Sequence, residues 1–291
     1  MSEMPHEYEV RIREYLSTLS AGEAPPVDDK WIDQACEDFR NALVKQFTRD
    51  NGREFTVRMS NAGRPRCQLW WQKNHPEEGS KPSYDFIMKM LLGDVIEVLA
   101  LLLMRGAGIP VESYHGKVNF PLGDGNSIQG EYDVVIDGKV WDIKSASPFA
   151  FEHKFKSFNA VKEDDSFGYV AQGFGYAKAS GKDFGGWIVI NKSTGEWKFV
   201  EADTSCADEY DQVIKDTYDY IATDSPFEKC FSDVEETYRG KATGNRYIAK
   251  DCMYCDYKYS CWDGLQYRRV EASQAKNKPW RYYTVYTDDV Q

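Results

Sequence analysis

Residues 130–147, Gly-Glu-Tyr-Asp-Val-Val-Ile-Asp-Gly-Lys-Val-Trp-Asp-Ile-Lys-Ser-Ala-Ser, constrain the fold of this chain more than any other segment. Two runs rich in β-branched and aromatic residues flank Asp137-Gly138, and an Asp-Gly pair in that setting is a strong signal for a two-residue hairpin turn. A ladder folded about that turn sets Asp133 opposite Asp142 and Glu131 opposite Lys144, a register that one extra loop residue would shift. Side chains alternate along a strand. Asp133, Asp142 and Lys144 therefore share one face, and Tyr132, Val134, Ile136, Trp141 and Ile143 share the other, which suits a core. Carboxylates facing each other across a ladder destabilise the sheet. A divalent cation between them removes that penalty, so the hairpin predicts a metal site with a lysine beside it.

The 291 residues suffice for one large domain or two small ones, and 14% aromatic and 42% hydrophobic residues suit a well-packed fold. No apolar run reaches the roughly 20 residues of a membrane span, since the longest, Met88–Met104, contains Lys89, Asp94 and Glu97. The opening Met-Ser-Glu-Met-Pro-His-Glu lacks a basic stretch followed by an apolar one, so no signal peptide and a cytoplasmic location are expected. A net charge of −11 argues mildly against a general nucleic-acid binder. Metal ions or a local basic groove can still reverse the field where it matters. The local basic patches are Arg64, Arg66 and Lys73, then Lys154 and Lys156, then Arg268 and Arg269; each is most simply a solvated face. Seven cysteines in a cytosolic chain are not expected to pair as disulfides. Three cluster with the spacing Cys252-x2-Cys255-x5-Cys261, and the others are Cys36, Cys67, Cys206 and Cys230.

Apolar residues at Trp31, Ile32, Ala35, Phe39, Leu43 and Phe47 give residues 29–49 a helical period. Residues 84–105 predict a long helix, apolar nearly all round and so buried, ended by Gly106 and Gly108. Strands are expected at 113–121, 128–136 and 139–146, helices near 150–158 and at 166–180, strands at 185–191 and 196–201, and a helix at 206–223. Residues 60–73 read as irregular and basic, and the tail from 224 as turn-rich. The order predicts an α/β fold, a central mixed β-sheet flanked by helices, with a helical, cysteine-clustered subdomain formed by both chain ends.

Phosphodiester hydrolysis needs an activated water and neutralisation of charge in a phosphorane-like transition state. Magnesium or manganese on hard oxygen ligands does both. Asp133 and Asp142 are candidate ligands, and the backbone carbonyl of Ile143 is a third oxygen. Lys144 could orient the water or stabilise developing charge. Glu97 would enter from the long helix, where a carboxylate is costly unless paired or metal-bound. The plain alternatives are a surface ion pair for Asp142 and Lys144 and a helix-surface position for Glu97. The cysteine spacing with a distant fourth cysteine is a strong metal-site signal, fitting zinc or an iron–sulfur cluster alike.

Glu97, Asp133 and Asp142-Ile143-Lys144, in that order and on those elements, resemble the PD-(D/E)xK nuclease superfamily. Gln172-Gly-Phe-Gly-Tyr176 resembles the Gln-x-x-x-Tyr helix motif of RecB-type nucleases, and residues four apart share a helix face. The segment Ser60–Trp71, in which Leu69-Trp70-Trp71 follows Cys67, resembles the one carrying the first cluster cysteine in iron–sulfur RecB-type nucleases, including CRISPR adaptation nucleases. Cys252, Cys255 and Cys261 match the trailing three. The resemblance covers about residues 58–263. It implies a restriction-endonuclease-like core and a magnesium- or manganese-dependent DNA exonuclease acting on single strands or DNA ends. Gln172 and Tyr176 would position the substrate strand. A structural [4Fe-4S] cluster would sit on Cys67, Cys252, Cys255 and Cys261, with Cys36 the rival to Cys67 and zinc the alternative metal. The implied domains are 1–75, helical and carrying the first cluster cysteine, 76–223, the nuclease core, and 224–291, the cysteine region and tail.

One position departs from the pattern: the histidine often found four residues before the helix glutamate is replaced by Gly93. The rival readings are a catalytically degenerate nucleic-acid-binding module and a structure-specific endonuclease of the same superfamily. Arg64, Arg66, Lys154 and Lys156 are candidate DNA contacts. Trp70, Trp71, Phe149, Phe151 and Phe155 could stack on bases or serve the core. With no Gly-x4-Gly-Lys-Ser/Thr loop, no ATP motor is expected. A stand-alone role in replication, recombination or repair, as in a phage, fits, with a homo-oligomer or replication and recombination proteins as partners.

Overall fold

The computed structural model describes residues 4–48, 54–123, 125–271 and 273–287. The last residue of the expected 29–49 helix and the first three residues of the chain, part of the stretch read for a signal peptide, lie outside the described residues. Helices α1 (Glu7–Ala21), α2 (Asp29–Phe47), α3 (Met59–Ala62), α4 (Arg66–Asn74) and α5 (Phe86–Gly106) come first. Strands β1 (Val111–Gly123), β2 (Asn126–Ile136) and β3 (Lys139–Ala146) follow, then α6 (Pro148–His153), α7 (Phe158–Glu163) and α8 (Tyr169–Ser180). Next are β4 (Asp183–Asn191), β5 (Trp197–Glu201) and α9 (Ala207–Ala222). The chain closes with β6 (Val234–Tyr238), β7 (Lys241–Tyr247), α10 (Lys258–Cys261), β8 (Gln266–Arg269) and β9 (Trp280–Val285). Among the described residues no helix is long and apolar enough to cross a membrane.

The chain forms two units. The first comprises residues 1–63, 82–164 and 169–216, and the second 64–81, 165–168 and 217–291, so α9 begins in one and ends in the other. This replaces the three sequential domains expected at 1–75, 76–223 and 224–291. Tyr8 and Ile12 of α1 are buried in the core against the main sheet, so α1 belongs with that sheet, whereas α4 with Cys67 lies in the second unit.

The first unit holds a five-stranded mixed sheet in the order β1-β2-β3-β4-β5. All pairs are antiparallel except β3–β4, which is parallel. Parallel neighbours need a crossover, and α6, α7 and α8 supply it. The Asp-Gly turn forms as expected: Asp137 and Gly138 have φ of 48° and 70°, the left-handed pair of a type I′ hairpin. The face bearing Val134, Ile136, Trp141 and Ile143 packs with Ala100, Leu101 and Met104 of α5 and with Ile188 and Ile190 of β4. The other face of β4 packs Trp187 and Val189 against Phe158, Val161, Phe174 and Ala177 of the crossover.

Three sequence expectations change. Only the C-terminal half of α5 is core; Met88, Met90 and Leu92 of its first turns are exposed, because the buried cluster starts at Ile96 and draws on Ala100, Leu101 and Met104. Residues 60–73 are not irregular but contain α3 and α4, which bury Met59, Ala62, Cys67, Gln68 and Leu69. The tail is not merely turn-rich: β6, β7, β9 and β8 make an antiparallel sheet in that order. Its fixed point is Glu236, whose carboxylate accepts from Tyr283 Oη at 2.6 Å and Asn245 Nδ2 at 2.9 Å.

Candidate active site

The hairpin ladder keeps its predicted register for Ile136↔Lys139, Val135↔Val140 and Val134↔Trp141 and then stops. At the next step the Asp133 side chain intervenes, Oδ2 accepting from the Ile143 N–H at 2.6 Å. Asp133 and Asp142 therefore lie at the point where β2 leaves β3. Glu131 does not pair with Lys144; beyond Asp133, β2 pairs with β1, placing Glu131 opposite Lys117. Asp142 is 2% exposed, and Lys144 Nζ lies 2.5 Å from its Oδ2. Desolvation opposes the Lys144 charge, but the carboxylates of Asp142 and Asp133 outweigh it and hold the ammonium above the ordinary lysine range.

Glu97 reaches the same cleft from α5. Burial pushes its carboxyl up to about 7 against the pull of Lys45 and Lys144. Burial also pushes Asp133 up to about 7, with the Glu97 charge adding to the shift and Lys144 opposing it. The cleft, about 990 Å³, is lined by Asp38, Asp94, Glu97, Glu131 and Asp133 against Lys45, Arg58 and Lys117. Lys45 is already paired with Asp94 at 2.8 Å. An anionic substrate would be repelled by this lining unless a cation is added.

Sequence reasoning missed His115. It sits on β1 between the pairs Tyr114↔Val134 and Gly116↔Tyr132, directly across from Asp133. Its backbone is left-handed, φ 49°, uncommon for a residue with a side chain. Nδ1 lies 3.4 Å from Glu97 Oε1 and 3.7 Å from Glu131 Oε1. No motif marks this histidine; only the β1–β2 register reveals it. The position of Gly93, by contrast, faces open space, where an added Cβ would meet only Ser145 Oγ at 3.8 Å.

On α8, Gln172 Nε2 donates to Tyr176 Oη at 3.1 Å, and Tyr176 lines the same cleft. Burial, then the Asp133 and Asp142 charges, raise the Tyr176 phenol. The helix reaches this position through its glycines. A Cβ on Gly173 would lie 2.2 Å from the Phe184 ring, and one on Gly175 would lie 1.8 Å from Met59 Cε.

Of the expected DNA contacts, Lys154 Nζ lies 4.6 Å from the centroid of the Tyr169 ring, which also takes Lys144 Nζ at 4.9 Å. Lys156 is exposed. Arg64 and Arg66 belong to the second unit. Arg66 is engaged by Glu228 at 2.8 Å, and Arg64 lies 6.0 Å from the Phe167 centroid. Phe151 and Phe155 are core, whereas Phe149 is 74% exposed. Trp70 and Trp71 pack on Phe227.

In the second unit Cys67, Cys252, Cys255 and Cys261 line one cavity with Trp71, Phe231 and Trp262. The rival Cys36 is exposed on α2 of the first unit. Burial raises the Cys252 thiol to about 12 and the Cys255 thiol to about 11, with neighbouring cysteines adding to both. Cys230 Sγ accepts from the Cys67 backbone N–H at 3.2 Å.

Among the described residues, no three His, Cys, Asp or Glu side chains stand in a ready-made metal-ligand arrangement. The donor chemistry of both clusters nevertheless suits a cation. Crowded carboxyls held near neutrality suit a hard ion, and apolar-walled thiols suit a thiophilic one.

No family model and no curated protein matches the chain. Among solved structures, the crystal structure of SSO0001 aligns at a TM-score of 0.38 and 13% identity, covering 65% of this chain and 85% of that one. A likeness at that level carries no argument about fold family or function.

Proposed function

We propose that the chain is a metal-dependent deoxyribonuclease of the PD-(D/E)xK superfamily, RecB-like, with a restriction-endonuclease-like core, acting as an exonuclease on single-stranded DNA or DNA ends. The observation that carries the reading is the convergence of Glu97, Asp133, Asp142 and Lys144 from α5, β2 and β3 at the point where the hairpin ladder stops. Residues so far apart in sequence, two of them carboxyls kept near neutral pKa by burial, are a poor choice for stability alone.

Glu97, Asp133 and Asp142 would hold magnesium or manganese, with the Ile143 carbonyl and His115 as further donors. A divalent cation there supplies positive charge to the transition state and acidifies bound water. Lys144, fixed by Asp142, holds an ammonium where charge develops on the phosphate. Because the Tyr176 hydroxyl accepts from Gln172, its own proton is left to donate to a phosphate oxygen of the strand. Lys154, beside Lys144 on the Tyr169 ring, adds backbone attraction. Cys67, Cys252, Cys255 and Cys261 would hold a [4Fe-4S] cluster, or zinc, closing long loops of the second unit.

The test is cleavage of end-labelled linear single-stranded DNA by anaerobically purified protein, with manganese, magnesium or chelator, beside Lys144→Ala. Metal-dependent release of short products, lost in the variant, is expected, and the labelled end gives the polarity. Circular substrates separate exonuclease from endonuclease. Folded, metal-loaded protein that leaves every substrate intact would mean a degenerate binding module.

A further inference from the structure

We propose that the exposed face of the C-terminal sheet is a stacking platform for single-stranded nucleic acid, separate from the carboxylate cleft. In the β8–β9 register, Tyr267 pairs with Tyr282 and Arg269 with Trp280, so these four side chains share one face. The three rings form a near-parallel stack: Tyr267 lies 4.5 Å from Tyr282 at 27° and 4.9 Å from Trp280 at 25°. Tyr259 of α10 meets the Tyr282 ring edge-on at 5.9 Å. Tyr267, Trp280 and Tyr259 are 51%, 43% and 52% exposed.

The opposite face already meets the structural needs of this small sheet. It buries Tyr283 and ties Tyr283 and Arg281 to Glu236. Tyr282 also packs against the buried Ile248, Cys252 and Trp262, but Tyr267 and Trp280 stay about half exposed, and an exposed aromatic patch of this kind is a candidate binding surface. Cations interleave with the rings. The Arg269 guanidinium lies 5.4 Å from the Trp280 centroid, and Lys258 Nζ lies 5.1 Å from that of Tyr282. Exposed aromatic rings can stack on unpaired bases, and flanking Arg and Lys can meet the phosphates. A duplex offers no base faces and binds mainly through phosphate charge, which a chain of net charge −11 supplies poorly. The observations thus favour a single strand over a duplex, and the proposal does not depend on the cleft being a nuclease.

The experiment is fluorescence anisotropy of a labelled oligo-dT, a matching oligo-U and a duplex, in chelator, with the full chain carrying Lys144→Ala so that cleavage cannot contribute. Tyr267→Ala and Trp280→Ala should each weaken single-strand binding roughly 5- to 100-fold. Trp280→Phe, which keeps a ring, should largely retain it, and the duplex should bind more weakly. Equal loss with oligo-dT and oligo-U means a platform blind to the sugar. Alanine variants that melt like the parent and bind single strands equally well would overturn the proposal. So would a proline-rich peptide binding the face while neither oligonucleotide does. Cleavage by the parent chain is scored separately, so either proposal can fail alone.

Discussion

Asp133 occupies the position on which the chemistry of the cleft turns. Its carboxylate accepts the Ile143 N–H and shares its electrostatic surroundings with Glu97. Both carboxyls are raised to about 7 in the fold, against about 4 in the unfolded chain. Between those values the folded state holds more protons than the unfolded one, so stability without metal falls as pH rises from about 4 to about 7 and then levels off. The two titrate as a pair. A divalent cation needs both ionised, so its contribution has the opposite slope. Thermal unfolding in chelator should therefore give a lower Tm at pH 8 than at pH 5.5, and manganese should raise Tm more at pH 8. His115→Gln should reduce that manganese gain while leaving the chelator curve nearly unchanged. A manganese effect independent of pH and of His115 would count against this ligand set.

At the scale of elements, α8 shows how close packing can outweigh helix propensity. Replacing a helical glycine by alanine gains up to about 1 kcal/mol of propensity. At Gly173 the new methyl would meet the rigid Phe184 ring at 2.2 Å, and overpacking a core costs about 1–3 kcal/mol. Gly173→Ala should therefore lower Tm by several degrees and displace Gln172 and Tyr176 together. Gly175→Ala should cost less, because the atom it meets is the mobile methyl end of Met59. Calorimetry of the two variants decides the order.

The hairpin was legible because a two-residue Asp-Gly turn leaves one register, and that register brings Asp133, Asp142 and Lys144 together. Where the ladder ends was not legible, since a side chain replaces a backbone partner there. His115 was hidden because its neighbours in space come from β2 and α5, and no local pattern points to them. The C-terminal sheet escaped notice because its strands, such as Lys-Ala-Thr-Gly-Asn-Arg-Tyr in β7, lack apolar alternation and depend on the buried Glu236 network. Helix α4 was masked by its Arg-Pro-Arg opening, although Pro65 with φ −51° serves well as the residue before its first turn.

At the scale of the whole molecule, five cysteines belong to the second unit, but only four line the shared cavity. Serine replacement of Cys67, Cys252, Cys255 or Cys261 should abolish stoichiometric iron or zinc and destabilise that unit. Cys230→Ser and Cys36→Ser should retain the metal. Metal analysis of anaerobically purified variants checks this. Retention in Cys67→Ser with loss in Cys230→Ser would move the fourth ligand across the hydrogen bond that joins those two residues.

The second unit is assembled from segments far apart in the chain, and this orders its biogenesis. All five strands of the main sheet have been translated once Glu201 is made. Cys67 must wait until Cys252, Cys255 and Cys261 emerge, about 3 to 12 seconds after Glu201 at common translation speeds of about 5–20 residues per second. A ribosome-bound chain therefore passes through a stage in which its first unit can fold while Cys67 has no cysteine from the tail to meet. If the four cysteines hold a metal as proposed, its loading is the closing event of maturation, and a cell starved of it would accumulate chains whose first unit is folded and whose second unit is exposed to proteases.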